Sequence, residues 1–392
     1  MPDRRTDRPY DLVLFGATGF TGRLTAEYLA RNAPADCRWA LAGRNRSKLE
    51  QVRRDLAAIE PGLAELPLLV ADVTDPASLR EVAEQTRVVA TTVGPYLEHG
   101  EPLVAACAEA GTDYADLTGE PEFVDRMYVA HHARAVETGA RLVHACGFDS
   151  VPHDIGVWFT LKQLPTGVPV TIRGLVRSNA TFSGGTFASA LTAMSRGAQM
   201  KQASSARRRM EPRPEGRRAR STVRRPHHDP VTGFWLVPLP TIDPLVVKRS
   251  AAALDAYGPD FTYSHYAAVR RLPTVVAGVA GVGALVAAAQ VGPVRRTLLK
   301  RVPQGEGPSA ERRARSRFSV RFVAEAGGAT VQTEVSGGDP GYDETAKMLA
   351  ESALSLAFDD NPPSAGQVTT AAAMGDHLLE RLQKANLRFE VL

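Results

Sequence analysis

The sequence predicts an α/β protein in which a doubly wound parallel sheet is joined to a second, mixed α/β domain. Two observations lead to this expectation. Short apolar runs alternate with helical segments from DLVLFG (11–16) to about residue 150, a rhythm typical of a parallel sheet with helices on both faces. The rhythm breaks at 169–178, which predicts a strand, and residues 316–342 alternate apolar and polar positions around a Gly-Gly pair, which predicts a hairpin. We therefore expect a Rossmann-type domain followed by a sheet of a different kind.

The length and composition narrow the class of protein. A chain of 392 residues suits more than one domain, and we place the Rossmann-type domain at 1–150, the mixed-sheet domain at 151–342 and a C-terminal segment at 343–392. The three cysteines lack the spacing of a metal site or a disulfide framework, so we expect no metal and a reducing compartment. The apolar run near the N-terminus is too short for a signal peptide, which favours the cytoplasm.

A glycine-rich turn lies between the first predicted strand and the first predicted helix. Gly16, Gly19 and Gly22 recur every three residues in FGATGFTG. Glycines here permit a tight turn, a close approach of phosphates and close packing of helix on strand, while the helix N-terminus attracts the pyrophosphate. The sequence therefore predicts a dinucleotide site. The residues expected to contact the cofactor in this turn are Gly16, Thr18, Gly19, Phe20, Thr21 and Gly22.

The end of the second strand indicates which dinucleotide is bound. Proteins that bind NAD usually place an acid there to hold the ribose 2′-hydroxyl. This chain has Arg44, followed by Asn45 and Lys48, and no acid, so a 2′-phosphate would be attracted and we predict NADP(H). The alternative is that Arg44 is only a solvated cation at the start of a helix.

Two further loops are expected at the cofactor. Asp72 follows the third strand and would meet the adenine edge or, alternatively, cap a turn. Val93, Gly94 and Pro95 follow the fourth strand, where ligands of such sheets collect, and we expect them beside the nicotinamide ribose.

These motifs resemble those of a known family. The segments that carry the resemblance are FGATGFTG, LAGRNRSKL, VGPY, GEPLVAACAEAGTDYADLTGE, CGFDSVPHDIG, SGGTFAS and DPGYDETAKMLAESALSLA. Together they are similar to the saccharopine dehydrogenase-like oxidoreductases, most of all to the actinobacterial trans-acting enoyl reductases that serve polyketide synthases. The resemblance implies an NADPH-binding domain, hydride transfer to an acyl chain carried on a synthase or carrier domain, and C-terminal helices that pack back on the Rossmann-type domain.

Enoyl reduction needs a hydride at the β-carbon, stabilisation of the enolate oxygen and a proton at the α-carbon. The catalytic candidates at the strand ends are Tyr96, Tyr114, Asp149 and His153, of which a tyrosine or histidine would donate a proton or hydrogen-bond the enolate. Tyr114 has a core position as its alternative, and Asp149 a role in stabilising its loop. None of Tyr28, Tyr96, Tyr114 and Tyr128 is followed by a lysine four residues later, which argues against a short-chain dehydrogenase mechanism.

A second helix start supplies candidate substrate contacts. Ser183, Gly184, Gly185 and Thr186 open a helix predicted to run to residue 200, and small residues at a helix N-terminus suit an anion or a carbonyl oxygen. Ordinary helix capping is the alternative.

Two segments of the second half have unusual composition. Residues 201–228 are rich in arginine and poor in apolar residues, which predicts a solvated loop or a docking patch for an acidic carrier protein or coenzyme A. A net charge of only +4 and the lack of aromatic interleaving argue against nucleic acid. Residues 273–292 carry no charge and would form a buried or acyl-lining helix, a peripheral membrane contact or a membrane span.

Three functions therefore remain open from the sequence. The first is NADPH-dependent reduction of the double bond of a long acyl or polyketide lipid intermediate, presented by a carrier protein, a polyketide synthase or coenzyme A. The second is a saccharopine-type amino-acid dehydrogenase, which would need arginines in its cleft. The third is a non-catalytic NADPH-binding scaffold at a membrane. The sequence does not indicate the oligomeric state.

Overall fold

The first sheet has seven strands, all parallel, in the computed structural model, which describes residues 7–180, 191–294, 297 and 307–392. The strands are β1 (Tyr10–Phe15), β2 (Trp39–Gly43), β3 (Leu68–Val70), β4 (Thr86–Thr91), β5 (Asp113–Asp116), β6 (Arg141–Val143) and β14 (Gly366–Val368). Their order is β14-β6-β5-β4-β1-β2-β3. The predicted doubly wound parallel sheet is confirmed, and its first six strands are those that the apolar runs indicate.

Helices connect these strands and cover the sheet. They are α1 (Phe20–Asn32), α2 (Arg46–Ala57), α3 (Pro76–Gln85), α4 (Tyr96–His99), α5 (Glu101–Ala110) and α6 (Pro121–Thr138), with a short 3-10 helix at Pro61–Glu65. The apolar residues of each long helix recur on the side that meets the sheet, such as Leu49, Val52 and Leu56 of α2. Gly111 ends α5 in the left-handed conformation, with φ of 70°, which glycine adopts without strain.

The second sheet has eight strands and mixes parallel with antiparallel pairs. The strands are β7 (Val170–Ser178), β8 (Arg218–Ser221), β9 (His227–His228), β10 (Trp235–Pro238), β11 (Asp260–Val269), β12 (Phe318–Ala326), β13 (Ala329–Gly337) and β15 (Arg388–Val391). Their order is β15-β13-β12-β7-β11-β10-β9, and β8 pairs with β11. Strands β12 and β13 form the predicted hairpin, and both glycines of its turn, Gly327 and Gly328, have positive φ.

Seven helices whose bounds lie within the described residues accompany this sheet and the C-terminal segment. They are α7 (Val151–Leu161), α8 (Gly197–Met210), α9 (Asp243–Ala253), α10 (Leu272–Gln290), α11 (Ala310–Arg315), α12 (Asp343–Phe358) and α13 (Thr370–Lys384), with a 3-10 turn at Asp255–Tyr257. Asp154 of α7 accepts hydrogen bonds from Ser250 Oγ of α9, Thr370 Oγ1 and the Ala371 amide of α13. One buried carboxylate thereby fixes three helices together.

The C-terminal segment contributes to both sheets. Strand β14 pairs with β6 in the first sheet, and β15 pairs with β13 in the second. Helix α12 lies against α1, where the Tyr28 hydroxyl donates to Glu351 Oε1 at 2.6 Å. The limits 1–150, 151–342 and 343–392 stay a prediction, and these pairings connect the three segments closely.

The basic segment 201–228 is only in part the solvated loop that its composition predicts: residues 211–217 and 222–226 lie outside helices and strands, and most of them are exposed. Helix α8 extends through residue 210, and Arg207 on it is only 1% exposed because it pairs with Asp125 of α6 and with Glu211. The Arg217 guanidinium donates to backbone carbonyls at the end of α9, including that of Leu254. Buried acids and carbonyls thus give these arginines structural partners that a count of charges does not reveal.

Residues 273–292 do not form a buried helix. Val275 and Ala289 are the buried residues of α10, and most of the helix is exposed. Among the described helices, α10 is the one long and apolar enough to cross a membrane by length and composition. The expectation of a buried helix is therefore wrong, and an acyl-lining role and a membrane contact stay predictions.

Candidate active site

The glycine turn has the geometry that a bound pyrophosphate requires. Gly16 has a φ of 88°, and a Cβ placed on Gly22 would lie 2.2 Å from the Gly16 carbonyl oxygen. Helix α1 begins after Gly19 with no side-chain cap, so its first amide groups are left for an anion. Thr18, Phe20 and Thr21 lie in the same turn, and all three are half-buried. The residues present therefore fit a dinucleotide.

The end of β4 packs directly on this turn. Thr92 donates its backbone N–H to the Phe15 carbonyl at 3.0 Å and its hydroxyl to the Gly16 carbonyl at 3.1 Å. A Cβ on Gly16 would lie 2.7 Å from Cγ2 of Val93. Gly94 is exposed and Pro95 half-buried just beyond it. The structure thus brings the predicted turn and the predicted β4 loop together at one edge of the sheet.

The residues predicted to select the cofactor lie on the next strand end. Arg44, Asn45 and Lys48 are all exposed after β2, and Asn45 caps α2 by accepting the Lys48 amide. Asp72 accepts the amide and the hydroxyl of Thr74, and these hydrogen bonds hold its pKa below the usual value, with a smaller contribution from Arg44. This favours the turn-capping role for Asp72. Its contact with adenine stays a prediction.

Tyr96 is a buried anchor of the β4 loop. Its hydroxyl donates to the Thr91 carbonyl and accepts the Leu117 amide, both at 3.1 Å. Glu120 accepts the amides of Tyr96 and Leu97. Burial, reinforced by nearby carboxylates, raises the pKa of Tyr96 well above its usual value. The phenol is therefore already used to join two loops.

Tyr114 lies in the middle of the sheet. It is 0% exposed, and its ring packs edge-on against His144, whose Nδ1 lies 2.6 Å from Oδ2 of Asp116. Burial and the Asp116 charge raise the pKa of Tyr114 well above its usual value. A position in the core accounts for the burial of Tyr114 and His144. A catalytic role for Tyr114 stays a prediction.

Asp149 is the predicted catalytic residue with the most suitable surroundings. It follows β6 and is half-buried, and its Oδ2 would lie 2.9 Å from a Cβ placed on Gly119, in the loop after β5. Burial and the negative charge of Asp243 raise its pKa to about 7, against an opposing effect of His153. A carboxyl group with this pKa holds a proton near neutral pH and can release it.

Close to Asp149 lies a buried cluster of two histidines and an acid. His153 Nδ1 is 2.5 Å from Oδ1 of Asp243, and His265 Nε2 is 3.6 Å from Oδ2 of the same carboxylate. Although burial raises the pKa of Asp243, the two imidazoles more than offset this and lower it. Burial lowers the pKa of His265 to about 4. Tyr263 shares a hydrogen bond of 3.1 Å with His265 Nδ1.

Three residues of this site, Glu120, Asp243 and His265, are not indicated as site residues by the motifs of the sequence. Asp243 precedes a proline, a pattern typical of a helix start. The pattern gives no indication that Asp243 also contacts two histidines. His265 continues the buried face that Phe261 and Tyr263 form in β11, and a histidine at that alternating position was an available signal. The predicted substrate contacts Ser183, Gly184, Gly185 and Thr186 lie outside the described residues.

Comparison with known proteins identifies the family. The model of the saccharopine dehydrogenase NADP binding domain matches residues 12–143, which contain the glycine turn, the β2 end and the β4 loop. A putative trans-acting enoyl reductase of Mycobacterium tuberculosis is 40% identical over 417 residues, with 98% of each chain covered. A trans-acting enoyl reductase of Mycobacterium ulcerans is 36% identical, with 97% of each chain covered. The chain belongs to the family of these trans-acting enoyl reductases, and its NADP-binding domain is of the saccharopine dehydrogenase type.

A solved structure supports the same fold for this saccharopine dehydrogenase-like protein. Saccharopine dehydrogenase of Saccharomyces cerevisiae superimposes with a TM-score of 0.56 and 12% identity, covering 98% of this chain and all of the other. The family and the matched domain confirm an NADP-dependent oxidoreductase whose cofactor is NADP(H). The geometry of the Gly16–Gly22 turn fits the pyrophosphate of NADP(H).

Proposed function

We propose that this protein reduces the enoyl double bond of a long acyl or polyketide lipid intermediate, in the cytoplasm, with NADPH as reductant. The substrate is presented as a thioester on a carrier protein, a polyketide synthase or coenzyme A. Two relatives that align over nearly their whole length are named as trans-acting enoyl reductases. The observation that carries the proposal is Asp149, a carboxyl group with a pKa of about 7 at the edge of the sheet where the cofactor turn lies.

Different residues bind the cofactor and transfer the proton. The glycine turn holds the pyrophosphate, Arg44 the 2′-phosphate, and the Val93–Pro95 loop borders the nicotinamide ribose. When bound, NADPH supplies the hydride that reduces the β-carbon. Asp149 gives its proton to the α-carbon, which completes the saturation of the double bond and leaves a carboxylate that solvent reprotonates.

Burial raises the pKa of Asp149, and Asp243 and His153 change it further through their opposite effects on its ionisation. The Asp243 charge opposes ionisation of Asp149, while His153 favours it. Their own contact of 2.5 Å fixes both side chains behind the reacting group. Because His153 is only 2% exposed, we assign it the role of a positioning residue and not of the direct proton donor. Glu120 and Tyr96 keep the neighbouring loop in place.

Three arginines of the second half of the chain are not available to an amino-acid substrate. A substrate with several carboxylates would need unpaired cations in the cleft. Two buried arginines, Arg207 and Arg249, are both paired with Glu211, and Arg217 is bonded to backbone carbonyls. These three side chains are therefore engaged within the protein.

Turnover with defined substrates tests the proposal. Enoyl thioesters of increasing chain length, on coenzyme A or a carrier protein, are incubated with the purified protein and NADPH, with saccharopine and NADP as the competing pair. Loss of NADPH absorbance together with a saturated thioester in the mass spectrum is expected. Oxidation of saccharopine would instead support the amino-acid dehydrogenase, and failure to bind NADPH would favour the scaffold.

A further inference from the structure

Helix α10 is an apolar surface that the described protein does not cover. Its 19 residues contain no charged side chain. Four of its valines, Val276, Val279, Val282 and Val286, are 61%, 47%, 50% and 38% exposed. A helix that is apolar on all sides is normally buried in a core or a membrane, and soluble monomers rarely expose a continuous apolar patch of this kind.

The helix begins at a cationic end of the second sheet. Strand β11 ends at Val269 and leads through Arg270 and Arg271 into α10. In the register of the sheet, Val176 of β7 faces Ala267 of β11, so the next residue of β7, Arg177, lies at this end. Ser178 of β7 pairs with Phe318 of β12, and the residues before Phe318 therefore lie at the same end.

Five exposed arginines form what we call the arginine collar. They are Arg177, Arg270, Arg271, Arg315 and Arg317. In the described part of the chain, none of them makes an ion pair with an acid. Two acids near this end of the sheet have other partners: Asp229 is 4% exposed and paired with Arg173, and Glu334 is paired with Arg321. The collar therefore presents positive charge beside the apolar helix.

We propose that α10 and the arginine collar bind the surface of an anionic lipid bilayer. The apolar helix would enter the boundary between headgroups and acyl chains, while the arginines contact phosphates. Trp235, which pairs with Val269 at the root of α10 and is half-buried, has the amphipathic ring that favours such a boundary. The collar complements negative charge, so it favours a lipid surface over a second copy of this basic end. The inference does not depend on the proposed reaction.

Flotation of the full chain with vesicles tests this. Vesicles of phosphatidylcholine alone are compared with vesicles that also contain phosphatidylglycerol. The protein is expected to float with the anionic vesicles, at least about tenfold more than with neutral ones. V276E/V279E should abolish flotation, and R270E/R271E should remove the preference for anionic lipid. V223E is the matched control, because Val223 is an 80% exposed valine outside α10, and it should float like the wild type.

Three results would overturn the inference. The first is that the wild type binds neither kind of vesicle. The second is that V276E/V279E floats as well as the wild type. The third is that no variant binds lipid and sedimentation velocity shows a dimer that V276E/V279E dissociates. Retention of NADPH binding by each variant shows that the chain is still folded. Because NADPH binding is measured apart from flotation, loss of flotation with NADPH binding retained concerns the membrane contact alone and leaves the proposed reductase function unaffected.

Discussion

Nε of Arg207 lies 2.5 Å from Oδ1 of Asp125, and both side chains are almost completely buried. Arg207 also contacts Glu211, which in turn pairs with Arg249 at 2.9 Å. The cluster joins α6, α8 and α9. Burial of charges is costly, and it is tolerated here because each charge has a partner.

Removal of Arg207 should therefore strongly destabilise the fold. We expect Arg207→Ala to lower the free energy of unfolding by about 3–5 kcal/mol, because Asp125 would stay buried without its partner. Arg209→Ala, an exposed arginine of the same helix, should change it by less than about 0.5 kcal/mol. Urea unfolding followed by circular dichroism measures both. Equal effects of the two substitutions would show that the buried cluster adds no stability.

This cluster also shows where prediction from the sequence ends. The strands β1 to β6 and the glycine turn follow from local patterns, since each apolar run and its spacing lie within one segment. The burial of Arg207 depends on Asp125, which is distant in the sequence, and a run of arginines looks the same whether it is solvated or paired. Strand β14 has the sequence GQV, which is not an apolar run, and its place in the first sheet depends on pairing with β6, which is distant in the sequence.

Replacement of Arg44 tests the choice of cofactor. Arg44→Ala should weaken NADPH binding by about 10- to 100-fold, the effect of losing a hydrogen-bonded charge pair, and should change NADH binding by less than about twofold. Arg46→Ala is the control, because Arg46 is exposed nearby and pairs with Glu50. Fluorescence titration with both nucleotides measures the ratio. An equal loss for NADPH and NADH would mean that Arg44 does not contact the 2′-phosphate.

Asp149 should give the reaction a distinct pH dependence. Its proton is the one transferred, so kcat/KM should be highest below the pKa of about 7 and fall tenfold per pH unit above it. Asp149→Asn should lower kcat by about 10²- to 10⁴-fold and leave NADPH affinity unchanged. Stopped-flow oxidation of NADPH across the pH range measures this.

Tyr96→Phe is the control for that experiment. It removes the hydroxyl that joins Thr91 to Leu117, so it should reduce stability by about 1–3 kcal/mol and keep the same pH profile. If Tyr96→Phe removed the pH dependence and Asp149→Asn kept it, Tyr96 would be the proton donor.

Asp149 and His265 should have opposite effects on stability in acid. The folded pKa of His265 is about 4 against 6.5 for the free side chain, so the unfolded chain binds the extra proton between these values and stability falls as the pH falls. For Asp149 the folded pKa is about 7 against 3.8, so the folded chain binds the extra proton and stability rises as the pH falls. The two effects nearly cancel between about pH 6.5 and pH 4.

Single substitutions should reveal each effect. In Asp149→Asn the His265 contribution is unopposed, and the free energy of unfolding should fall by about 3 kcal/mol between pH 6.5 and pH 4. In His265→Gln the contribution of Asp149 is unopposed, and the free energy should rise over the same interval. Urea unfolding at several pH values measures the three curves. Parallel curves for the wild type and both variants would contradict the shifted pKa values of Asp149 and His265, because each substitution removes one of these two opposing titrations.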